Sequence, residues 1–136
     1  MKKTVSIVGG GTAAIAIAAF LDNQKFEVTI FEKNKAIGRK FLVAGKGGFN
    51  LTHSEQIELL IERYTPKALI KEVLLKLNNN DLRNWLHLIG IPTYVGSSKR
   101  VYPIKGIKPI EVLKAIQTVL IEKGVKIDYN KTWTGW

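Results

Sequence analysis

Six consecutive residues near the start of the chain have the types and spacing of a turn that binds phosphate. They read Gly9-Gly10-Gly11-Thr12-Ala13-Ala14 and fit the pattern G-x-G-x-x-G/A. Gly9 permits a tight turn out of a strand, and the missing side chain of Gly11 lets a pyrophosphate approach the backbone amides that open a helix. Ala14 allows this helix to pack closely on the strand. The pattern predicts a pyrophosphate site.

A carboxylate follows at the distance that such a site requires. Glu32 lies about 20 residues beyond the glycines and ends a second apolar segment. At this position a carboxylate accepts hydrogen bonds from a ribose diol and repels a 2′-phosphate, so the residue argues against a bare NADP site. We include its neighbour Lys33 in the predicted site.

The elements around these residues predict a parallel βαβ unit. Residues 4–8 form an apolar run that indicates a buried parallel strand. Residues 12–22 are almost all small or apolar, so we expect a helix that is buried on most sides. Residues 26–32 alternate between apolar and polar types and predict the second strand. From residue 33 to 53 the sequence is rich in glycine and aperiodic, which predicts a long ordered loop.

The middle of the chain is predicted to be mostly helical. Thr52 and Glu55 have the spacing of a capping box, Pro66 fits the first turn of a second helix, and Asn80 is placed to cap a third. The second helix carries an apolar stripe that we expect to face inward, formed by Leu69, Ile70, Val73, Leu74 and Leu77. Residues 91–95 and 100–102 are short extended segments.

The last part of the chain returns to the sheet. A helix from Pro109 to Gly124 and an alternating strand over residues 125–129 are predicted, and the strand should join the parallel sheet. The fold class is therefore α/β, a Rossmann-like FAD/NAD(P)-binding fold with a parallel sheet and a helical insertion between the second and third strands. We divide the chain into residues 1–53, the βαβ unit with its loop, 54–103, the insertion, and 104–136, the return to the sheet.

Composition narrows the remaining possibilities. The chain has 136 residues, 46% of them hydrophobic, and no cysteine, which excludes disulfides and thiolate chemistry and fits one compact cytoplasmic unit. The formal net charge is +10, but the basic residues are mostly lysines with no run longer than two, which is typical of a solvated surface. We expect neither a membrane nor a nucleic acid as partner, and two histidines make a poor metal site.

A second glycine-rich stretch carries a more specific signal. It reads IGRKFLVAGKGGFNLTH over residues 37–53, and a GSSKRVYP element follows at residues 96–103. With these motifs the chain resembles the bacterial BaiN-type NAD(P)/FAD-dependent oxidoreductases, which are flavoproteins with similar GRK, glycine-loop and G-R-V-F-P elements. Where many members have Arg-Cys, this chain has Gly48-Phe49.

The resemblance implies a set of residues that contact FAD. The glycine turn would hold the pyrophosphate, Glu32 the adenosine ribose, Arg39 and Lys40 the phosphates, and the loop from Gly45 to Asn50 would approach the flavin. The predicted cofactor contacts are Gly9, Gly10, Gly11, Thr12, Ala13, Ala14, Glu32, Lys33, Arg39, Lys40, Gly45, Gly47 and Asn50.

The function expected from the resemblance is flavin-dependent NAD(P) oxidoreduction, with FAD as cofactor, NAD(P)H as electron donor and a small-molecule substrate. Family members are longer than this chain, so we expect it to be the N-terminal part of such a protein and to be inactive alone. Trp133 and Trp136 are then expected to be exposed and to favour self-association. Two alternatives stay open: an NAD-binding dehydrogenase domain, and a basic nucleotide- or nucleic-acid-binding module without catalysis.

Overall fold

The structure, a computed structural model, describes residues 1–44 and 49–136. In chain order the elements are β1 (Lys3–Val8), α1 (Thr12–Phe20), β2 (Phe26–Glu32), α2 (Arg39–Ala44), β3 (Thr52–His53), α3 (Ile57–Glu62), α4 (Lys67–Lys76), α5 (Asn79–Leu88), β4 (Thr93–Val95), β5 (Arg100–Pro103), α6 (Pro109–Glu122) and β6 (Lys126–Tyr129). Among the described residues, no helix is long and apolar enough to cross a bilayer.

Contacts divide the chain into two compact units, whereas its length and composition predicted one. The first, here the discontinuous unit, combines Met1–Gly47 with Lys108–Trp136. The second, the inserted unit, is Gly48–Ile107. The inserted unit is continuous in sequence, whereas the discontinuous unit needs both ends of the chain.

A parallel three-stranded sheet in the order β1-β2-β6 forms the centre of the discontinuous unit. Lys3 to Val8 pair in register with Phe26 to Phe31, and Thr29 to Glu32 pair with Lys126 to Tyr129. Parallel strands need a crossover connection: α1 links β1 to β2, whereas α2, the inserted unit and α6 lie between β2 and β6. The predicted Rossmann-like α/β class, with a parallel sheet that resumes after an insertion, is confirmed.

Two helices cover this sheet and are tied to each other. α1 buries Ala14, Ile15, Ala18 and Ala19, and α6 buries Val112, Leu113 and Leu120. After α6 ends, the Lys123 Nζ atom donates to the carbonyl oxygens of Ala19 at 2.6 Å and Leu21 at 2.9 Å. These bonds satisfy carbonyls at the end of α1 that have no partner within the helix.

The expected burial of β1 and of most of α1 is wrong in part. β1 is an edge strand of the described sheet, and the side chain of Val8 is 58% exposed. Ile17 of α1 is likewise 53% exposed, on the side of the helix opposite its buried alanines. An apolar run predicts that one face of a strand is covered but cannot show whether a neighbour covers the other.

The inserted unit contains a sheet as well as helices. α3, α4 and α5 accompany an antiparallel sheet in the order β3-β5-β4. Thr52, predicted to cap a helix, lies instead in β3 and pairs with Val101. α3 begins only at Ile57, and its N-cap residue Gln56 makes no side-chain cap. The capping-box prediction is wrong because a strand partner almost fifty residues away competes for the same segment.

Three further details of the helices differ from the sequence predictions. The cap of α5 is Asn78 rather than Asn80, with Asp81 completing a reciprocal capping box. Pro66, predicted in the first turn of α4, is its N-cap residue; the helix has no buried residue, and Leu69 of its predicted inward stripe is 72% exposed. The predicted loop contains a short helix, α2, which starts after Gly38 in a glycine-free run.

Candidate functional site

The glycine turn joins β1 to α1 and is fixed by three backbone features. Gly9 adopts a φ of +89°, which favours glycine, and its N–H donates to the carbonyl of Phe31 in β2 at 2.8 Å. The carbonyl of Gly10 accepts from the N–H of Gly38 at 2.8 Å. Gly11 is extended and is the N-cap residue of α1. The turn is therefore held from β2 on one side and from the start of α2 on the other.

The three glycines of the turn are needed for different reasons. A Cβ atom on Gly10 would lie 2.3 Å from Cγ2 of Ile37 and 3.1 Å from Oε2 of Glu32, so a side chain has no room there. A Cβ atom on Gly11 would meet no atom within 4 Å. Gly10 is thus a packing glycine at a position that the motif leaves free, whereas the side of Gly11 is open.

Glu32 is a buried carboxylate at the end of β2 that contacts the glycine turn. Its Oε2 accepts from the backbone N–H of Gly10 at 2.7 Å. Its Oε1 accepts from the backbone N–H of Asn34 at 2.7 Å and from Nδ2 of the same residue at 2.6 Å. The N–H of Gly10 first, and then that of Asn34, lower the pKa of Glu32 against the cost of burial. The side chain is therefore ionised at neutral pH and only 7% exposed.

The start of α1 leaves backbone donors available. No side chain caps the helix at Gly11, and its first turn contains no acidic residue. The first N–H groups of a helix have no acceptor within it and carry a partial positive charge. The open side of Gly11 thus adjoins a group of donors suited to an anion.

A cavity of about 540 Å³ lies over this turn and is lined by residues of the discontinuous unit. Glu32 is the single acidic residue in its lining. The lining also contains four cationic residues, Lys33, Arg39, Lys40 and Lys131. Within the described residues, none of the four forms an ion pair with a carboxylate, although Arg39 Nη1 lies 3.4 Å from Oδ1 of Asn34. The cavity is therefore electropositive around one fixed negative charge.

Most of the predicted contact residues come together here. Those that line the cavity are Gly9, Gly10, Gly11, Thr12, Glu32, Lys33, Arg39 and Lys40. Ala14 is buried on the inner side of α1, while Ala13 is exposed, and neither lines the cavity. Asn50 is an exposed residue of the inserted unit. Gly45 and Gly47 lie outside the described residues.

Sequence reasoning missed a segment that follows β6. Lys131, Thr132 and Trp133 line the cavity, and the N–H of Lys131 donates to the carbonyl of Glu32 at 3.0 Å. Trp133 is 54% exposed, as predicted for it. The sheet topology could have indicated this segment. β6 was predicted to join the parallel sheet, and ligand crevices lie at the carboxyl ends of such strands.

A second buried carboxylate occurs in the inserted unit. Oε1 of Glu55 lies 2.5 Å from Nε of Arg63, and Oε2 accepts from Nη2 of the same guanidinium at 2.8 Å. Arg63 is the main cause of the lowered pKa of Glu55. Nδ2 of Asn79 donates to the carbonyls of His53 at 2.6 Å and Glu55 at 2.9 Å. This cluster joins α3 and α5 to the segment after β3, and among the described residues no His, Cys, Asp or Glu group could hold a metal.

Comparisons with known proteins agree with the fold and with the motifs. The crystal structure of THI4 from Thermovibrio ammonificans is similar, with a TM-score of 0.57 and 17% sequence identity. The match covers 94% of this chain and 38% of that one, so the chain spans little more than a third of the length of that protein, and the likeness shows the fold alone. Residues 3–136 match a family model described as HI0933-like protein Rossmann domain, which supports a module that binds FAD or NAD. The resemblance drawn from the two glycine-rich motifs is confirmed, and the chain belongs to the HI0933-like Rossmann domain family of FAD-dependent oxidoreductases.

Proposed function

We propose that the discontinuous unit binds the ADP half of FAD at the glycine turn. The observation that carries the proposal is the open side of Gly11, at an uncapped helix start, inside a cavity with four cations. Its volume of about 540 Å³ falls within the range of roughly 300–1,000 Å³ typical of sites for small ligands.

The pyrophosphate would lie over Gly11. The first amides of α1 donate to phosphate oxygens, and the absent side chain removes the steric barrier to close approach. Lys33, Arg39, Lys40 and Lys131 add positive charge around the same space. Cations in a cleft with protein walls attract an anion more strongly than isolated surface lysines do.

The adenosine ribose would lie beside Glu32. The low pKa of this side chain keeps it an acceptor at neutral pH, and it reaches the cavity although it is mostly buried. A carboxylate at this position favours a free 2′-hydroxyl over a 2′-phosphate. The geometry thus supports FAD or NAD in preference to NADP.

Family membership supports FAD in preference to NAD. Flavin supplies hydride-transfer chemistry when bound, and the protein supplies its position and electrostatic surroundings. In this chain that role falls to the glycine turn, Glu32 and the cations of the cavity, with Arg39 and Lys40 beside the phosphates as the GRK motif suggests. NAD(P)H as electron donor and a small-molecule substrate belong to the whole protein and are part of the proposal.

Binding of FAD, NAD⁺, NADP⁺ and ADP, measured by calorimetry on the same preparation, tests the proposal. We expect FAD to bind most tightly, ADP and NAD⁺ more weakly, and NADP⁺ weakest. Tighter binding of NAD⁺ than of FAD would favour the NAD-domain alternative. If no nucleotide binds but DNA or RNA binds with a steep salt dependence, the basic charge serves a nucleic acid and the proposal is wrong.

A further inference from the structure

Asn34 lies between Glu32 and Arg39 and contacts both. Its backbone N–H and its Nδ2 donate to Oε1 of Glu32, at 2.7 and 2.6 Å. On its other side, Oδ1 faces Nη1 of Arg39 at 3.4 Å. These neighbours decide the orientation of the amide, since only Nδ2 can donate to a carboxylate and only Oδ1 can accept from a guanidinium. Asn34 is half-buried and lines the cavity.

Donors of the protein itself already fill most of the hydrogen-bond acceptor positions of Glu32. An ionised carboxylate offers about four acceptor positions, two on each oxygen. Asn34 fills both positions on Oε1, and the N–H of Gly10 takes one on Oε2. A ribose diol brings two hydroxyl donors. With one position left, Glu32 can accept from a single hydroxyl without losing one of its present bonds.

The other acceptor at this place is Oδ1 of Asn34. Its contact with Arg39, at 3.4 Å, is longer than the usual 2.7–3.2 Å of such bonds, so the oxygen can accept a second and shorter one. Arg39 is exposed and has further donors for a phosphate.

We infer that two residues share the ribose diol, one hydroxyl donating to Oε2 of Glu32 and the other to Oδ1 of Asn34. Asn34 is then a residue that determines specificity for the sugar, and it also holds the Glu32 carboxylate in place. The inference rests on the proposed function, because it concerns the ribose of the same dinucleotide.

The test compares ADP with 2′-deoxy-ADP and 3′-deoxy-ADP, using wild type and Asn34→Ala at constant pH and salt. In wild type, we expect each deoxy analogue to bind about 3- to 10-fold more weakly than ADP, the usual effect of one hydrogen bond. In Asn34→Ala, the preference for ADP over one of the two analogues should fall to less than about twofold, while the other preference remains. The variant retains the backbone bond from residue 34 to Glu32 but frees the position on Oε1 that Nδ2 filled. If both preferences persist in the variant, Glu32 accepts both hydroxyls and the inference is wrong.

Two further variants keep the test decisive. Asn34→Leu retains the side-chain volume without polar atoms and replaces Asn34→Ala if that protein does not fold. Gln24→Ala removes an exposed amide of the same unit and should change none of the three affinities.

A common factor of weakening for all three ligands in Asn34→Ala would mean a structural role only and would overturn the inference. So would unchanged affinities, or a wild type that binds ADP and both analogues equally. In each of these cases ADP still binds wild type and the proposed function stands. If wild type binds none of the three ligands, the proposed function and the inference are both wrong.

Discussion

Each unit of the protein contains one buried carboxylate among the described residues, and the two have partners of different kinds. Glu32, in the discontinuous unit, receives hydrogen bonds from neutral amide groups of Gly10 and Asn34. Glu55, in the inserted unit, is held at both oxygens by the guanidinium of Arg63. The exposed fractions are nearly equal, 7% and 8%, so burial does not distinguish them.

The difference lies in the net charge that remains. Neutral donors stabilise a carboxylate without cancelling its charge, and they leave Glu32 facing a cavity with an acceptor position open. The guanidinium of Arg63 offsets the charge of Glu55, with a hydrogen bond to Oε2 and an ion-pair contact to Oε1. We therefore assign recognition to Glu32 and cross-linking of the inserted unit to Glu55.

The largest expected effect is that of Gly11→Val on nucleotide binding. A branched side chain would fill the space proposed for the pyrophosphate, while no protein atom lies within 4 Å of the new Cβ. We expect affinity for ADP to fall at least 100-fold, roughly 3 kcal/mol, with an unchanged thermal midpoint. Calorimetry and thermal unfolding on the same preparation measure both quantities.

Gly10→Ala is the matched control for that variant. Its Cβ would meet Ile37 at 2.3 Å, so overpacking should destabilise the discontinuous unit by about 1–3 kcal/mol. Equal loss of stability in the two variants would contradict the distinction between a packing glycine and an open one.

Glu32→Ala should have the next largest effect on binding. Loss of hydrogen bonds to one charged group predicts weaker ADP affinity by about 1–3 kcal/mol. Competition by adenosine isolates the ribose from the phosphates, and its affinity should fall with that of ADP. Unchanged adenosine competition would show that Glu32 does not bind the ribose.

Arg63→Ala should affect stability and leave binding unchanged. The variant leaves Glu55 as a buried carboxylate without its cation, so the inserted unit should unfold at a lower temperature. Arg63→Lys, which keeps the positive charge but not the bidentate geometry, should recover part of the lost stability. A marked loss of ADP affinity in either variant would contradict the separation of roles.

The smallest expected effect is a dependence on acid pH shared by both carboxylates. Each pKa lies below the ordinary value of 4.5, Glu32 through amide donors and Glu55 through Arg63. Each contribution to stability is therefore complete above pH 4.5 and is lost as the pH falls through the folded-state pKa. The difference in thermal midpoint between wild type and Glu32→Gln, or Glu55→Gln, should be constant near neutrality and shrink below pH 4.5.

The sequence predicted those parts of the site that lie within one continuous stretch of residues. The strand, glycine turn and small-residue helix of residues 3–20 show a period and a motif within a single stretch, and Glu32 follows at a fixed distance. The return to the parallel sheet through α6 and β6 was predictable for the same reason, since Pro109 and Gly124 mark the ends of the helix.

The parts that depend on distant residues could not be predicted in this way. β3 is two residues long and exists through its pairing with β5. The residue types of α4 do not indicate that its apolar stripe is left without buried residues. Asn34 and Lys131 reach the cavity because β2 and β6 end side by side, and Gly10 is required by Ile37, which lies in a loop that shows no pattern.

The discontinuous unit also has a consequence for the order in which the chain folds. Lys123 bonds to carbonyls 104 and 102 residues earlier, and β6 pairs with a strand from the first quarter of the chain. Closing such a long loop is entropically costly and slow, whereas all contacts within Gly48–Ile107 join residues of one continuous segment. During synthesis the inserted unit emerges complete while β1 and β2 still await β6. We therefore expect the cavity over the glycine turn, which needs Lys131 to Trp133, to form after the inserted unit has folded.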